Sequence, residues 1–238
     1  MNTQKGKLYL IPNTLGDNEP LEVLPITVKE TINKIDTFIV ENDKAARRFI
    51  KRICPEKSQP SLHLFHLNKF TNVADLPTFL NPCLQGIDVG LLSDAGCPGV
   101  ADPGADIVKI AHEKSIKVIP LVGPSSILMA IMSSGMNGQS FAFNGYLPID
   151  KGERKSEIKR LERLSFEHNQ SQLFIETPYR NNKMLDDLSS ILENNTHVCV
   201  ACDITLKSEF IKTLTANQWK KNKVDLHKRP TIFIIHKN

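Results

Sequence analysis

Apolar residues in the first half of the chain come in short blocks, each followed by a turn-rich or helix-patterned segment. Residues 7–11, 36–41, 61–66, 87–92 and 116–122 read as strands. Between them, Thr27-x-x-Glu30 has the form of a capping box for a short helix. Helical patterns follow at about 43–53, 73–84 and 103–114, and Gly123-Pro-Ser-Ser126 opens a helix running to Ser134. Strand and helix in strict alternation predict a mostly parallel sheet covered on both faces.

Past Gly135 the pattern loosens. Residues 141–146 are extended, and a charged helix is expected over about 152–164. A strand at 172–177 is closed by Pro178, and Met184, Leu185, Leu188, Ile191 and Leu192 share one helix face. Strands at about 197–204, 208–214 and 231–235 complete the chain. The fold class expected is α/β: two α/β domains, 1–122 and 123–238, with a mostly parallel N-terminal sheet, a mixed C-terminal sheet and a cofactor cleft between them.

The densest turn chemistry lies between the fourth strand and its helix. Ser93-Asp-Ala-Gly-Cys-Pro-Gly-Val-Ala-Asp-Pro-Gly104 holds three glycines, two prolines and two aspartates. Asp102 is expected as N-cap and Pro103 at the first helical position. The segment is neither a Gly-x-Gly-x-x-Gly nor a phosphate-binding Gly-x-x-x-x-Gly-Lys loop. Its prolines remove backbone donors, which argues against a pyrophosphate cradle. Further polar loops fall at other predicted strand ends: Pro12 to Asp17, Glu41-Asn-Asp43, Val122 to Ser126 and Glu176-Thr-Pro-Tyr-Arg180. Ligands of open α/β sheets bind at such ends.

Composition narrows the class. With 238 residues, 40% apolar and 24% charged, the chain can bury a substantial core and is not of disordered type. A net charge of +4 is compatible with RNA without demanding it. No apolar run reaches the ~18 residues of a membrane span. Leu8 to Ile11 is too short for a signal-peptide core, so a cytoplasmic location with no membrane partner is expected. Cys199 and Cys202 have Cys-x-x-Cys spacing, but on a strand they would face opposite ways, so both read as core and no metal site is expected.

Together Ser93 to Gly104, Pro120-Leu-Val-Gly-Pro-Ser-Ser126, Phe143-Asn-Gly-Tyr-Leu-Pro148 and Glu176 to Arg180 resemble the tetrapyrrole methylase superfamily, the class III S-adenosylmethionine-dependent methyltransferases. Within it the resemblance is to the branch that methylates a cytidine ribose 2′-oxygen of small-subunit ribosomal RNA. The resemblance implies S-adenosyl-L-methionine as cofactor, RNA as partner and a homodimer. Cofactor contacts are implied at Pro12, Asp94, Gly96, Cys97, Pro98, Val100, Ala101, Ser125, Ser126, Thr177, Ala201 and Pro230. Substrate contacts are expected at Arg47, Arg48, Tyr179 and Arg180.

A sulfonium methyl is already activated, so attack by an oxygen mainly needs positioning and removal of one proton. Loop position makes Glu41, Asp43, Asp94 and Glu176 the candidates for that role, with the base itself left open. Arg47, Arg48, Lys51 and Arg52 form the purer cationic cluster and the preferred polyanion site. Lys151, Arg154, Lys155, Lys159, Arg160 and Arg163 are interleaved with Glu153, Glu157 and Glu162 and read equally as a solvated face. Departures from the branch fall on the substrate side, notably Cys202-Asp-Ile-Thr-Leu206 in place of Arg-Glu-Leu-Thr-Lys. Two alternatives therefore stand beside the RNA reading: a small-molecule substrate such as a tetrapyrrole, and a cofactor-binding partner protein without catalysis.

Overall fold

The computed structural model describes residues 4–68 and 70–238 and divides the chain into two compact units, meeting in sequence at Ser125 and Ser126. The first unit holds β1 (Lys7–Ile11), α1 (Pro20–Val23), α2 (Ile26–Lys34), β2 (Thr37–Val40) and α3 (Asp43–Ile53). After β3 (His63–His66) come a 3-10 segment (Val73–Leu80) and α4 (Asn81–Leu84), then β4 (Val89–Leu92), α5 (Gly104–Glu113) and β5 (Lys117–Pro120). Its sheet has the order β3-β2-β4-β1-β5, and every pairing is parallel.

The near-continuous apolar strands β2 and β4 are buried along their whole length, as a sheet covered on both faces requires. One face packs Ile11, Phe38, Val40 and Leu92 against Val28 and Ile32 of α2 and Phe49 and Ile50 of α3. The opposite face packs Leu8, Ile39, Val89 and Leu91 against Phe79 and Leu80 and against Ile107 and Ala111 of α5.

The second unit holds α6 (Ser126–Ser134), β6 (Phe141–Tyr146), α7 (Lys151–His168), β7 (Ser171–Ile175), a 3-10 turn (Pro178–Arg180) and α8 (Asn181–Ile191). It ends with β8 (His197–Cys202), β9 (Phe210–Thr215), α9 (Ala216–Trp219) and β10 (Thr231–His236). The sheet order is β6-β7-β10-β8-β9; β6 and β7 are parallel and the other pairs antiparallel. Ile158 and Leu161 of α7, Met184 and Leu188 of α8, and Trp219 close over Phe174, Val200 and Phe233. Cys202 joins that core, Cys199 is equally buried, and neither is disulfide-bonded. Among the described residues no group of three metal-ligating side chains occurs, and no helix is long and apolar enough to cross a membrane.

Several boundaries differ from expectation for local reasons. Helix α2 begins at Ile26 with Pro25 as its N-cap, so Thr27 lies inside it and there is no capping box there. Proline at that place restricts the preceding chain and starts the helix two residues early. A true capping box occurs instead at Thr215 and Gln218. Helix α7 runs on to His168 and stops at Asn169, whose φ of 46° is left-handed. Pro77 keeps 73–80 in the tighter 3-10 form instead of one α-helix.

Candidate functional site

In the first sheet, connections leave neighbouring strands β2 and β4 in opposite directions, toward β3 on one side and β5 on the other. Such a divergence opens a crevice at the carboxyl ends of the two strands. Glu41 and the 93–104 loop stand there. The Asp94 N–H donates to Glu41 Oε1 at 3.1 Å, and the Ser93 hydroxyl lies 3.2 Å from the same oxygen. Burial raises the Glu41 pKa, and the nearby charges of Asp94 and Asp102 add to the rise against the Asp94 N–H bond. Burial also raises that of Asp94.

Asn13 ties the β1 loop to this loop. Its N–H donates to the Gly96 carbonyl at 2.9 Å, and its Nδ2 donates to the carbonyls of Ser93 and Asp94 at 3.2 and 3.1 Å. The third strand end joins them: a side chain at Gly123 would sit 2.2 Å from Pro12 Cβ, so only glycine permits the close approach. Gly96 has φ +68°, and a Cβ there would press on Leu15 at 3.2 Å. The Cys97 thiol lies 3.4 Å from the Pro124 carbonyl, and burial pushes its pKa up, so it stays protonated and packs as a small apolar group. Asp102 Oδ1 accepts from both Gly99 N and Gly104 N, at 2.8 and 2.7 Å. It therefore folds the loop back on itself, while Pro103 occupies the N-cap position of α5. Ala101 holds a left-handed φ of 61°, a strain of about 1–2 kcal/mol for a residue with a Cβ.

A groove of about 470 Å³ lies beside these loops, lined by Asn13 to Asp17, Asp94, Ala95 and one side of α3. The α3 cations are engaged there. Arg52 binds Asp17 at 2.7 Å, the Asn18 carbonyl at 2.8 Å and Glu19 at 3.2 Å, and Arg48 reaches Asp17 at 3.3 Å. Arg47 binds Asp43 at 2.6 Å and the Gln59 carbonyl at 2.7 Å. The structure thus brings Pro12, Glu41, Asp94, Gly96, Cys97 and Arg48 to one end of the first sheet. Pro98, Val100 and Ala101 form the outer turn of the same loop, with Val100 exposed. Ser125 ends the first unit and Ser126 begins α6.

In the second unit β7 and β8 end where β10 begins, which gathers Thr177, Ala201 and Pro230 at one sheet end. Glu176 is buried; its Oε1 accepts from Thr177 N and from Arg180, both at 2.6 Å. That pairing assigns Glu176 and Arg180 to bracing the turn. Asp43 is likewise held by Arg47. Tyr179 is exposed, with His227 edge-on at 5.7 Å and the Lys228 ammonium 5.7 Å from its ring centre. Sequence reasoning missed Asn13 and Asp17; an amide after proline at a strand end, and an acid closing the same loop, were the available signals.

This arrangement of loops on a parallel sheet followed by a mixed one has relatives. The pattern of the family Tetrapyrrole (Corrin/Porphyrin) Methylases matches residues 7–219. The chain belongs to this family. The chain is 30% identical over 210 residues to the Ribosomal RNA small subunit methyltransferase I of Bacillus subtilis, covering 87% of this chain and 67% of that one. To the protein of that name from Buchnera aphidicola it is 28% identical over 233 residues, covering 97% and 78%. Among solved structures, the methyltransferase CobJ superposes with TM-score 0.64 at 13% identity, covering 98% of this chain and 94% of that one. Uroporphyrin-III C-methyl transferase from Thermus thermophilus, complexed with S-adenyl homocysteine, gives 0.57 at 13% identity, with 98% of both covered. These structures share the fold.

This tetrapyrrole methylase family member is an S-adenosylmethionine-dependent methyltransferase. The residues present suit such a cofactor. Burial disfavours the charged forms of the Glu41 and Asp94 carboxyls beside the loop, a cost that a neighbouring sulfonium or ammonium would offset. The close approach of Gly123 to Pro12 and the turn through Gly96 beside Leu15 bring the three loops together at the same place.

Proposed function

We propose that this methyltransferase acts on RNA, at a ribose 2′-hydroxyl of small-subunit ribosomal RNA, in the cytoplasm and as a homodimer. Two relatives that share most of this chain carry an rRNA small-subunit methyltransferase name, and this supports the substrate class. The exposed Leu128 and Met132 of α6 favour a covering surface and so support pairing.

The cofactor would be held by backbone of Pro12, Gly96, Cys97, Pro98, Val100 and Ala101, and it supplies an activated methyl group. The protein's own contribution is positioning and one proton transfer. Of the four candidate carboxylates, Asp43 and Glu176 are tied to arginines and Glu41 accepts from the loop. Asp94 alone stands in the groove with an elevated pKa caused only by burial, and this observation carries the assignment. It is the group we assign to take the proton of the ribose hydroxyl, whose oxygen would accept the methyl group that the bound cofactor would supply.

Methyl transfer from labelled S-adenosylmethionine to in vitro transcribed small-subunit rRNA tests this. Wild type labels the RNA, and Asp94→Asn lowers kcat by about 10²–10⁴, the usual worth of a general base. Label entering only a small-molecule fraction of a lysate would overturn the RNA reading. Full activity in Asp94→Asn would overturn the base.

A further inference from the structure

The cations of α7 fall into two sets once their partners are seen. Arg154 is buried and turned inward: its Nε donates to Asp187 at 2.9 Å and its Nη1 to the carbonyls of Pro148 and Ile149 at 3.2 and 2.6 Å. Arg160 is held by both oxygens of Glu157, and Arg163 lies 3.8 Å from Glu167. Lys151, Lys155 and Lys159 are all exposed, and no ion pair engages them among the described residues.

These three lysines recur every fourth residue, so they line one flank of the helix about 6 Å apart along its axis. That is close to the step between successive phosphates on a strand. With Ser190 and Ile191 of α8 they border a groove of about 360 Å³. Asp187, in the same groove, does not cancel them. Burial opposes its ionisation, yet the bonds from Lys183 and Arg154 outweigh burial and hold its pKa low, so its charge is already matched. Glu153 and Glu157 lie on the far side of the helix by the same periodicity. Tyr146 closes β6 five positions before Lys151 in the chain, and the residue is 63% exposed.

We infer that the Lys151–Lys155–Lys159 flank of α7 is a phosphate-tracking surface for the RNA substrate, with the exposed Tyr146, just ahead of it in the chain, offering a stacking ring. Lysine is suited to this as a point charge on phosphate, and an aromatic beside a cationic row is the recurring form of single-strand binding surfaces. The surface carries no sequence information, so it serves affinity and register. The inference rests on the RNA reading above. It also moves the polyanion site from α3, whose Arg48 and Arg52 are engaged with the 17–19 loop and whose Arg47 is held by Asp43, to the second unit.

The test uses the full chain and in vitro transcribed small-subunit rRNA, with affinity measured against salt. Replacing all three by alanine (Lys151→Ala, Lys155→Ala, Lys159→Ala) is expected to flatten the slope of log K against log salt by about 2, at roughly 0.7 for each phosphate of a single strand no longer neutralised. KM for RNA should rise about tenfold or more, with kcat and cofactor affinity kept. The matching arginine triple should keep most of the slope, as should Lys220→Ala, Lys221→Ala, Lys223→Ala, which removes equal charge elsewhere. Wild-type slope and KM in the alanine triple would overturn this inference while leaving the RNA reading intact. Wild-type protein that neither binds nor methylates the RNA would overturn both.

Discussion

On α3, Arg52 reaches across to Asp17 and Glu19, and both acids are largely exposed. On α7, Arg154 reaches Asp187, and both side chains are about nine-tenths buried. The same guanidinium–carboxylate chemistry thus holds a loop in one unit and braces a core edge in the other. Solvent decides the difference: exposed pairs are worth about 0–1 kcal/mol, whereas a buried one is costly to break. The lysines of α7 complete the contrast. An inward Arg154 satisfies the buried acid and leaves the outer flank cationic, while on α3 the arginines direct their charge to neighbouring acids.

The largest effect should therefore come from Arg154. Arg154→Ala leaves Asp187 buried with Lys183 as its one ion-pair partner among the described residues, and about 3 kcal/mol of stability should be lost. The denaturant midpoint checks this, and a midpoint within error of wild type would show that Lys183 alone suffices. Substituting both partners with apolar residues, Arg154→Met with Asp187→Leu, should recover much of the loss.

Next comes the loop. Asp17→Ala frees Arg48, leaves Arg52 with only the Asn18 carbonyl and Glu19 of its partners described above, and loosens the β1 loop that Asn13 holds against residues 93–96. Stability should fall by less than about 1 kcal/mol. Cofactor affinity, measured by titration calorimetry, should weaken several-fold, because ordering the loop then has to be supplied by binding. If Arg48 and Arg52 were themselves the polyanion site, removing the acid beside them would instead strengthen RNA binding at low salt. An unchanged RNA affinity agrees with the assignment to α7.

The contrast also shows what a sequence can carry. Alternating apolar blocks and helix patterns were enough to place α3, α6 and β6 to the residue, and local signals such as Asn42 before α3 and Gly135 after α6 mark the ends. The loops at the ends of β1, β2 and β4 were legible as a group, since turn residues at strand ends follow a rule of topology. Which charge meets which was not. Asp17 lies 35 positions before Arg52, and Asp187 lies 33 after Arg154. A charge count sees α3 as the purer basic helix and α7 as a mixed one. Only the fold shows that the mixture on α7 is sorted by face. The Asn13 bridge was hidden for the same reason, since its partners lie 80 and 81 positions on.

The smallest effect separates the carboxylates themselves. Glu41 has a folded pKa above its ordinary value, first because of burial and then because of Asp94 and Asp102, against the Asp94 N–H bond. Its stabilising contribution is thus complete below the unfolded carboxylate value, near pH 4.3, and is lost as pH rises through the folded value. Asp187 runs the other way: its folded pKa is held low, so its contribution is present above the unfolded value and lost as pH falls through the folded one. Glu41→Gln keeps an acceptor for Asp94 N–H without the charge. It should raise the thermal midpoint slightly at pH 7, by less than about 3 °C for a change under 1 kcal/mol. The gain should shrink toward zero below about pH 4, where wild-type Glu41 is itself neutral. A loss of stability at pH 7 instead would mean that the Glu41 charge is needed where it stands, and that the end of β2 is a cation site in its own right.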